Sequence, residues 1–427
     1  MSDKRTLFSR VRQSQYGRHV ALLASGTAIA QAIGFAASPI LTRIYSPESY
    51  AVLALFMAIS SSLSLGISGR YDLAAIVARD PRDSRALVAL ALRVSGVLCL
   101  LFFGFLFLGQ SFVSPVLNAE SLGTWLLVAP VALFLTAVAT TLRSLANSRR
   151  NYKVISRVAI YQSLIAVTLS LTLGHLKWGA NGLITATIVS LAFGAIYLIY
   201  AERSALRQIP WRRDGRLWSL ALRYREYPLI SAPTSFLNGL MLWMPVFFLT
   251  KYFPEESVGH YALFTRVATA PLTLIAGAVS QVNLKEMAER VHGGRAASEY
   301  LRRITIVMVA IALAPTIAFV AAGPQIFALV FGETWRTAGE LLAILMPALA
   351  VRFVVSPLSG ALISTGHVRL GGAWQVLAAL VTFATFALVA PRASIRGMFV
   401  AMLITDVALY ALYYFLIVYA VRHPKET

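Results

Sequence analysis

Three arginines stand where arginine is costly. Arg70, Arg266 and Arg352 fall inside long apolar runs of a 427-residue chain. A guanidinium in the middle of hydrocarbon costs about 2.5–3.5 kcal/mol even on the mildest insertion scale, so each is expected to face a cavity or an acidic partner. The chemistry such a group offers there is oxyanion binding, because its planar fork bonds phosphate oxygens in pairs and keeps its charge at low dielectric. Arg266, nine residues beyond Ser257, lies about 14 Å down its run at 1.5 Å per residue, near mid-bilayer. Arg352 is expected deeper toward the cytoplasm, and Arg70 near the inner interface, where a long side chain reaches headgroups. Asp406, about 14 Å below Gly397, is the acidic residue expected near mid-bilayer, either paired with Arg266 or Arg352 or binding a coupling cation. Asp72 is two residues from Arg70, a spacing that cannot bridge on a helix, and is expected to meet Arg79 or another helix.

Other chemistry is missing from the pattern. The chain has no phosphate-binding glycine-lysine loop and no His-Glu-x-x-His motif, so no catalytic residue, metal site or cofactor is expected. Energy would come from substrate supply or from a proton or sodium gradient, which the sequence leaves open. The six histidines are scattered, mostly at the ends of apolar runs, and each reads as structural. Cys99 is the single cysteine, sits among leucines, and excludes disulfides and cysteine metal sites. A net charge of +20 raises the question of nucleic acid, but the cations lie between apolar runs, where they act as topology signals.

These residues need elements that live in lipid. With 58% hydrophobic and 13% charged residues and a mean hydropathy of +0.70, the chain is too apolar for a soluble domain. About twelve transmembrane helices are expected near 20–43, 51–78, 87–109, 123–144, 155–175, 180–200, 228–252, 258–283, 302–322, 338–362, 370–390 and 397–420. With the N-terminus inside, 29 basic residues fall on the inner side against 6 outside, which predicts two cytoplasmic termini. The longest outer connections are 110–122 and 323–337. The segment before His19 lacks the apolar core and cleavage site of a signal peptide, so the first span is expected to be retained. Pro39, Pro233, Pro245, Pro271 and Pro357 fall inside spans and predict kinks.

The chain also repeats itself. Leu41-Thr42-Arg43-Ile44-Tyr45 with Pro47-Glu48-Ser49 recurs as Leu249-Thr250-Lys251-Tyr252-Phe253 with Pro254-Glu255-Glu256-Ser257. Leu145-Ala146-Asn147-Ser148 echoes in Ala361-Leu362-Ile363-Ser364. The expected organisation is therefore two pseudo-symmetric six-helix bundles, 1–212 and 213–427, with the repeats related by an axis along the membrane normal. The second opens on an interfacial amphipathic helix within 216–227.

Tyr224-Arg225-Glu226-Tyr227-Pro228-Leu229-Ile230, Pro245, Val258-Gly259-His260-Tyr261-Ala262-Leu263, Arg266-Val267-Ala268-Thr269-Ala270-Pro271 and Gln281 resemble the middle of the polysaccharide-transporter family. That family, with its O-antigen flippases, belongs to the multidrug, oligosaccharidyl-lipid and polysaccharide exporter superfamily. Pro39, Arg43, Tyr45 and Pro47-Glu48 are similar too, as are Gly69-Arg70-Tyr71-Asp72-Leu73-Ala74-Ala75-Ile76, Phe331-Gly332, Trp335, Gly339 and Ser356-Pro357. The family more often has Glu at the position of Asp72. The resemblance implies a V-shaped all-α membrane fold alternating between inward and outward openings. It implies a cargo of sugar units on undecaprenyl pyrophosphate, a place in the bacterial inner membrane, and the polymerase and chain-length machinery of a polysaccharide locus as partners.

The alternatives are a lipid II flippase, a drug or cation exporter of the same superfamily, and a membrane glycosyltransferase or polymerase. An exporter of cations would favour an acidic pocket, against three intramembrane arginines and one aspartate here. A polymerase would need an external region with catalytic carboxylates, whereas the two longest outer connections carry only Glu120 and Glu333 as acids.

Overall fold

A computed structural model describes residues 15–78, 80–209, 215–292 and 297–424. Lys4, Arg5, Arg10, Arg12, Arg79, Arg212, Arg213, Arg295 and Lys425 lie outside the described residues, as does the expected boundary between 212 and 213. Among the described residues there is no strand. The helices are α1 Gln15–Ile44, α2 Pro47–Ser62, α3 Tyr71–Val77, α4 Pro81–Leu117, α5 Trp125–Ser148, α6 Tyr152–His175, α7 Ala180–Ala201 and α8 Arg203–Leu206, then α9 Gly215–Arg223 and α10 Ala232–Tyr252. They continue with α11 Glu255–His292, α12 Ala297–Phe331, α13 Arg336–Val355, α14 Gly360–Ser364, α15 Val368–Val389 and α16 Ile395–Arg422.

Each expected span carries helix. Nine helical stretches, or ten if the bent α11 is one span, are long and apolar enough to cross a membrane among the described residues; the other two expected spans fall on α1 and on the broken α2–α3. Large apolar side chains such as Leu100, Phe105, Leu108, Ile306, Leu313 and Ile317 point outward, which only lipid would solvate. The chain is an all-α membrane protein. By internal contacts it forms two units, one of residues 1–45 and 52–251, the other of residues 46–51 and 252–427.

Small residues let the helices of the first unit approach closely, as packing in lipid requires. α1 and α6 run side by side. A Cβ on Gly26 would sit 1.7 Å from Ser156 Oγ, Ser163 Oγ donates to the Ala30 carbonyl at 2.6 Å, and Tyr45 Oη donates to the Ser170 carbonyl at 2.7 Å. Ser156, Ser163 and Ser170 are spaced by seven, so one seam of α6 faces α1 along its length. The amphipathic helix is present as α9, which buries Leu217 and Leu220 in the core formed with α3, α4 and α5 and leaves Trp218 and Leu222 exposed.

Three expectations need correction. The second span is not continuous over 51–78: α2 ends at Ser62, residues 63–70 form turns, and α3 begins at Tyr71. Serine hydroxyls take the helix's own carbonyls there, Ser60 Oγ that of Phe56, Ser62 Oγ that of Ile59 and Ser64 Oγ that of Ser61, which weakens the ladder. Gly69 and Arg70 then adopt φ of +59° and +57°, reversing the chain where a helix cannot continue. The expected outer connection 323–337 is helical through Phe331; the bend is at Ala322, φ −135°, just before Pro324 and outside the list of expected kinks. The connection expected over 110–122 is likewise helix through Leu117. Of the expected kinks, Pro271 lies in the bend of α11, whose two halves differ in direction by 43°.

Candidate functional site

The break between α2 and α3 holds two of the expected site residues. Arg70 is not on a helix: its Nη1 donates to the Leu65 carbonyl at 3.3 Å, its amide donates to Ser68 Oγ at 3.2 Å, and its Nε is buried without a hydrogen-bond partner. Asp72, 5% exposed, accepts from Ser68 Oγ at 2.5 Å. The carboxylate therefore folds back on the break, one turn away, while the guanidinium holds the Leu65 carbonyl; α10 closes over the same place. A Cβ on Gly66 would sit 2.8 Å from the Ala232 carbonyl, and one on Gly239 would sit 2.2 Å from that of Ser62.

The second unit holds the others in two groups. Arg352 on α13 stands 5.9 Å from the centroid of the Tyr410 ring on α16, and Asp406, one turn before Tyr410, interacts electrostatically with Arg352. Tyr261 on α11 lies within the field of both charges. No ion pair joins Arg352 and Asp406 among the described residues. Arg266 lies five residues beyond Tyr261, a rotation of about 140° along a helix, and so faces elsewhere. It is exposed and acts on the buried Tyr50 hydroxyl, which has no hydrogen-bond partner. Tyr50 in turn packs edge-on against Trp335 at 5.1 Å, and His260 flanks the same indole at 5.6 Å. The structure thus brings Asp406 toward Arg352 and leaves Arg266 apart.

Both guanidiniums are exposed on helices otherwise rich in buried apolar residues. At membrane depth a lipid-facing arginine is disfavoured. What the arrangement offers is two cationic forks, a tyrosine ring beside Arg352, and one carboxylate near Arg352. That set suits an anion carrying several oxygens.

Another cation was counted only as a topology signal. Arg143 on α5 is half-buried and its Nη2 donates to Gln162 Oε1 at 2.5 Å. Gln162 Nε2 donates onward to the Ser190 carbonyl at 3.2 Å, in space that Gly194 keeps open: a Cβ there would meet Gln162 Nε2 at 1.9 Å. Three helices of the first unit thus meet around Gln162. The signal available in the sequence was a glutamine and a glycine in neighbouring apolar runs.

Residues 40–340 match the family described as "Polysaccharide biosynthesis protein". No curated protein sequence matches the chain significantly. Among solved structures, an inward-facing multidrug resistance MATE family transporter of the MOP superfamily is similar, with a TM-score of 0.69 and 15% identity over 94% of this chain and 96% of that one. The lipid II flippase MurJ in an inward closed conformation gives a TM-score of 0.71 at 11% identity over 92% of this chain and 87% of that one. At such identities the likeness is one of fold, the two-lobe exporter fold expected above.

Proposed function

The chain belongs to the polysaccharide biosynthesis protein family, and from that premise we propose that it is a flippase, not an enzyme. Its cargo is an oligosaccharide repeat unit on undecaprenyl pyrophosphate, moved by alternating access from the cytoplasmic to the periplasmic leaflet of a bacterial inner membrane. Both termini are cytoplasmic in this reading, and the polymerase and chain-length machinery of a surface polysaccharide receive the product. The observation that carries it is Arg266, an exposed guanidinium deep in an apolar helix and without an ion-pair partner among the described residues. Pyrophosphate is the part of such a cargo that hydrocarbon resists most, and a planar cation is the group that lowers that cost. Arg352 would take a second phosphate or a sugar hydroxyl, and Asp406 would set its availability or bind a coupling proton or sodium ion. Arg70 and Asp72 would act by holding the α2–α3 break.

The test is transport per inserted molecule in reconstituted vesicles. Arg266→Ala should accumulate normally and lose transport, whereas Arg266→Lys, which keeps the charge without the fork, should recover part of it. Full specific activity for Arg266→Ala would end the assignment. Offering lipid II beside an oligosaccharide-linked carrier in the same vesicles separates the two cargos.

A further inference from the structure

The two halves end corresponding helices in the same way, and only one of them fills the space beneath. After α5 the chain reverses at Arg150, φ +57°, and the Asn151 amide donates to the Ala146 carbonyl at 2.8 Å. After α14 it reverses at Gly366, φ +74°, and the His367 amide donates to the Leu362 carbonyl at 2.8 Å. This is one C-terminal cap built twice, and the sequence echo sets Asn151 against His367 and Lys153 against Arg369. In the first unit the cap holds an anion of the chain's own. Glu202, 0% exposed, accepts from Asn151 Nδ2 at 2.9 Å and from Arg149 Nη1 at 2.6 Å.

In the second unit the corresponding place is a cavity of about 540 Å³ lined by Gly366, His367, Val368, Arg369, Leu370 and Tyr419. The lining has no carboxylate. His367 is 5% exposed; its Nδ1 lies 3.0 Å from the Thr365 carbonyl, while Nε2 has no hydrogen-bond partner among the described residues. α15, 22 residues long, starts at Val368 with no side-chain cap; the Leu370 amide donates to the His367 carbonyl at 3.0 Å, which leaves the Val368 and Arg369 amides at the positive end of the helix turned to the same space. Arg369, in that first turn, is exposed. The polarity that Glu202 satisfies in one half is left for an outside ligand in the other.

We propose that this cavity, at the end of α15 that charge asymmetry assigns to the cytoplasm, binds a phosphate oxyanion, supplied by an anionic lipid headgroup or by free phosphate. Arg369 contributes the charge, the Val368 and Arg369 amides the cradle, and the His367 ring a polar wall whose Nε2 is open to the ligand or to a water on it. The site does not depend on the identity of the cargo.

The test reads bound lipid rather than flux, so its failure leaves the transport reading untouched. Purified protein in detergent is exchanged into phosphatidylglycerol or phosphatidylcholine, and retained lipid is counted by native mass spectrometry with and without millimolar inorganic phosphate. Wild type should keep phosphatidylglycerol selectively. Arg369→Ala should weaken that retention about tenfold or more, as loss of a charge-assisted contact does, and Arg422→Ala, outside the lining, should leave it unchanged. Release of the lipid by inorganic phosphate would assign the site to phosphate in general, and retention against it to the headgroup. His367→Ala, which removes the ring from the lining, gives a second reading if Arg369→Ala accumulates poorly and should also lower retention. Equal retention of both lipids by wild type, or equal phosphatidylglycerol retention by wild type and the cavity variants, would overturn the proposal.

Discussion

Asp406→Asn separates two roles that the sequence left open, and the structure sets the scale of each. Two opposite charges at 4 Å attract by about 4 kcal/mol at an effective dielectric near 20, and breaking a buried contact pair costs about 3–5 kcal/mol. Neither limit applies here. Arg352 and Asp406 form no contact pair, Arg352 is exposed, and its cation also lies over Tyr410. Solvent reaching Arg352 screens the attraction, and Asp406, half-buried, recovers part of its own desolvation cost on losing its charge. The substitution should therefore cost about 1 kcal/mol or less, and accumulation should stay near that of wild type. Thermal unfolding in micelles of Asp406→Asn, Arg352→Ala and the double variant gives the coupling directly. A coupling above about 3 kcal/mol would refute the reasoning and restore a direct pair. Transport in vesicles with and without an imposed proton or sodium gradient completes the test. If Asp406 binds the coupling ion, the asparagine variant should run at one rate under both conditions; gradient dependence equal to wild type would remove it from coupling.

The buried Glu202 should make Arg149→Ala destabilising by about 2–3 kcal/mol, below the full value for a stranded buried charge because Asn151 still donates to it; unfolding midpoints in denaturant against Arg149→Lys would show it. Gly239→Ala should cost about 2 kcal/mol or more, since the new Cβ meets the Ser62 carbonyl, while Gly104→Ala, with nothing within 4 Å, should be neutral or gain up to about 1 kcal/mol. Reporter fusions after Glu426 and at the Gly332–Trp335 turn should report cytoplasm and periplasm respectively, and a periplasmic C-terminus would overturn the topology.

Much of the fold was legible because lipid imposes a plain rule. Every backbone group must be satisfied within its own helix, so apolar runs of sufficient length became helices in each expected place. The break after Ser62 was less legible: its apolar content is that of a span, and the signal lay in five serines and two glycines between Ser60 and Gly69. Hydrophobicity alone does not register hydroxyls that compete for carbonyls. The candidate site was legible in its residue types but not in its groupings. Spacing along a helix cannot say that Asp406 falls near Arg352 rather than Arg266, because that depends on which faces of α11, α13 and α16 pack together. Arg143 shows the converse, a cation read as a topology marker that the fold encloses with Gln162.

The most informative positions are those where the two halves differ. A repeated helix–cap–helix frame reproduces backbone geometry at little cost, as the caps at Arg150 and Gly366 show. Side chains then decide whether the frame closes on itself. In the first unit it does: Arg149 and Asn151 hold Glu202, Arg143 holds Gln162, and Arg70 holds the Leu65 carbonyl. In the second, Arg266 and Arg352 have no ion-pair partner among the described residues, and the cap at His367 stands over a cavity without a carboxylate. A cation kept at membrane depth without a partner of its own is a standing cost, offset only when something else supplies the anion. Cargo should therefore stabilise the folded protein through the second unit, by an amount set by its concentration relative to its affinity. Thermal unfolding with added carrier pyrophosphate should show a rise that Arg266→Ala abolishes and Arg143→Gln preserves. A rise lost equally in both variants would place anion recognition in both units and remove the asymmetry argued here.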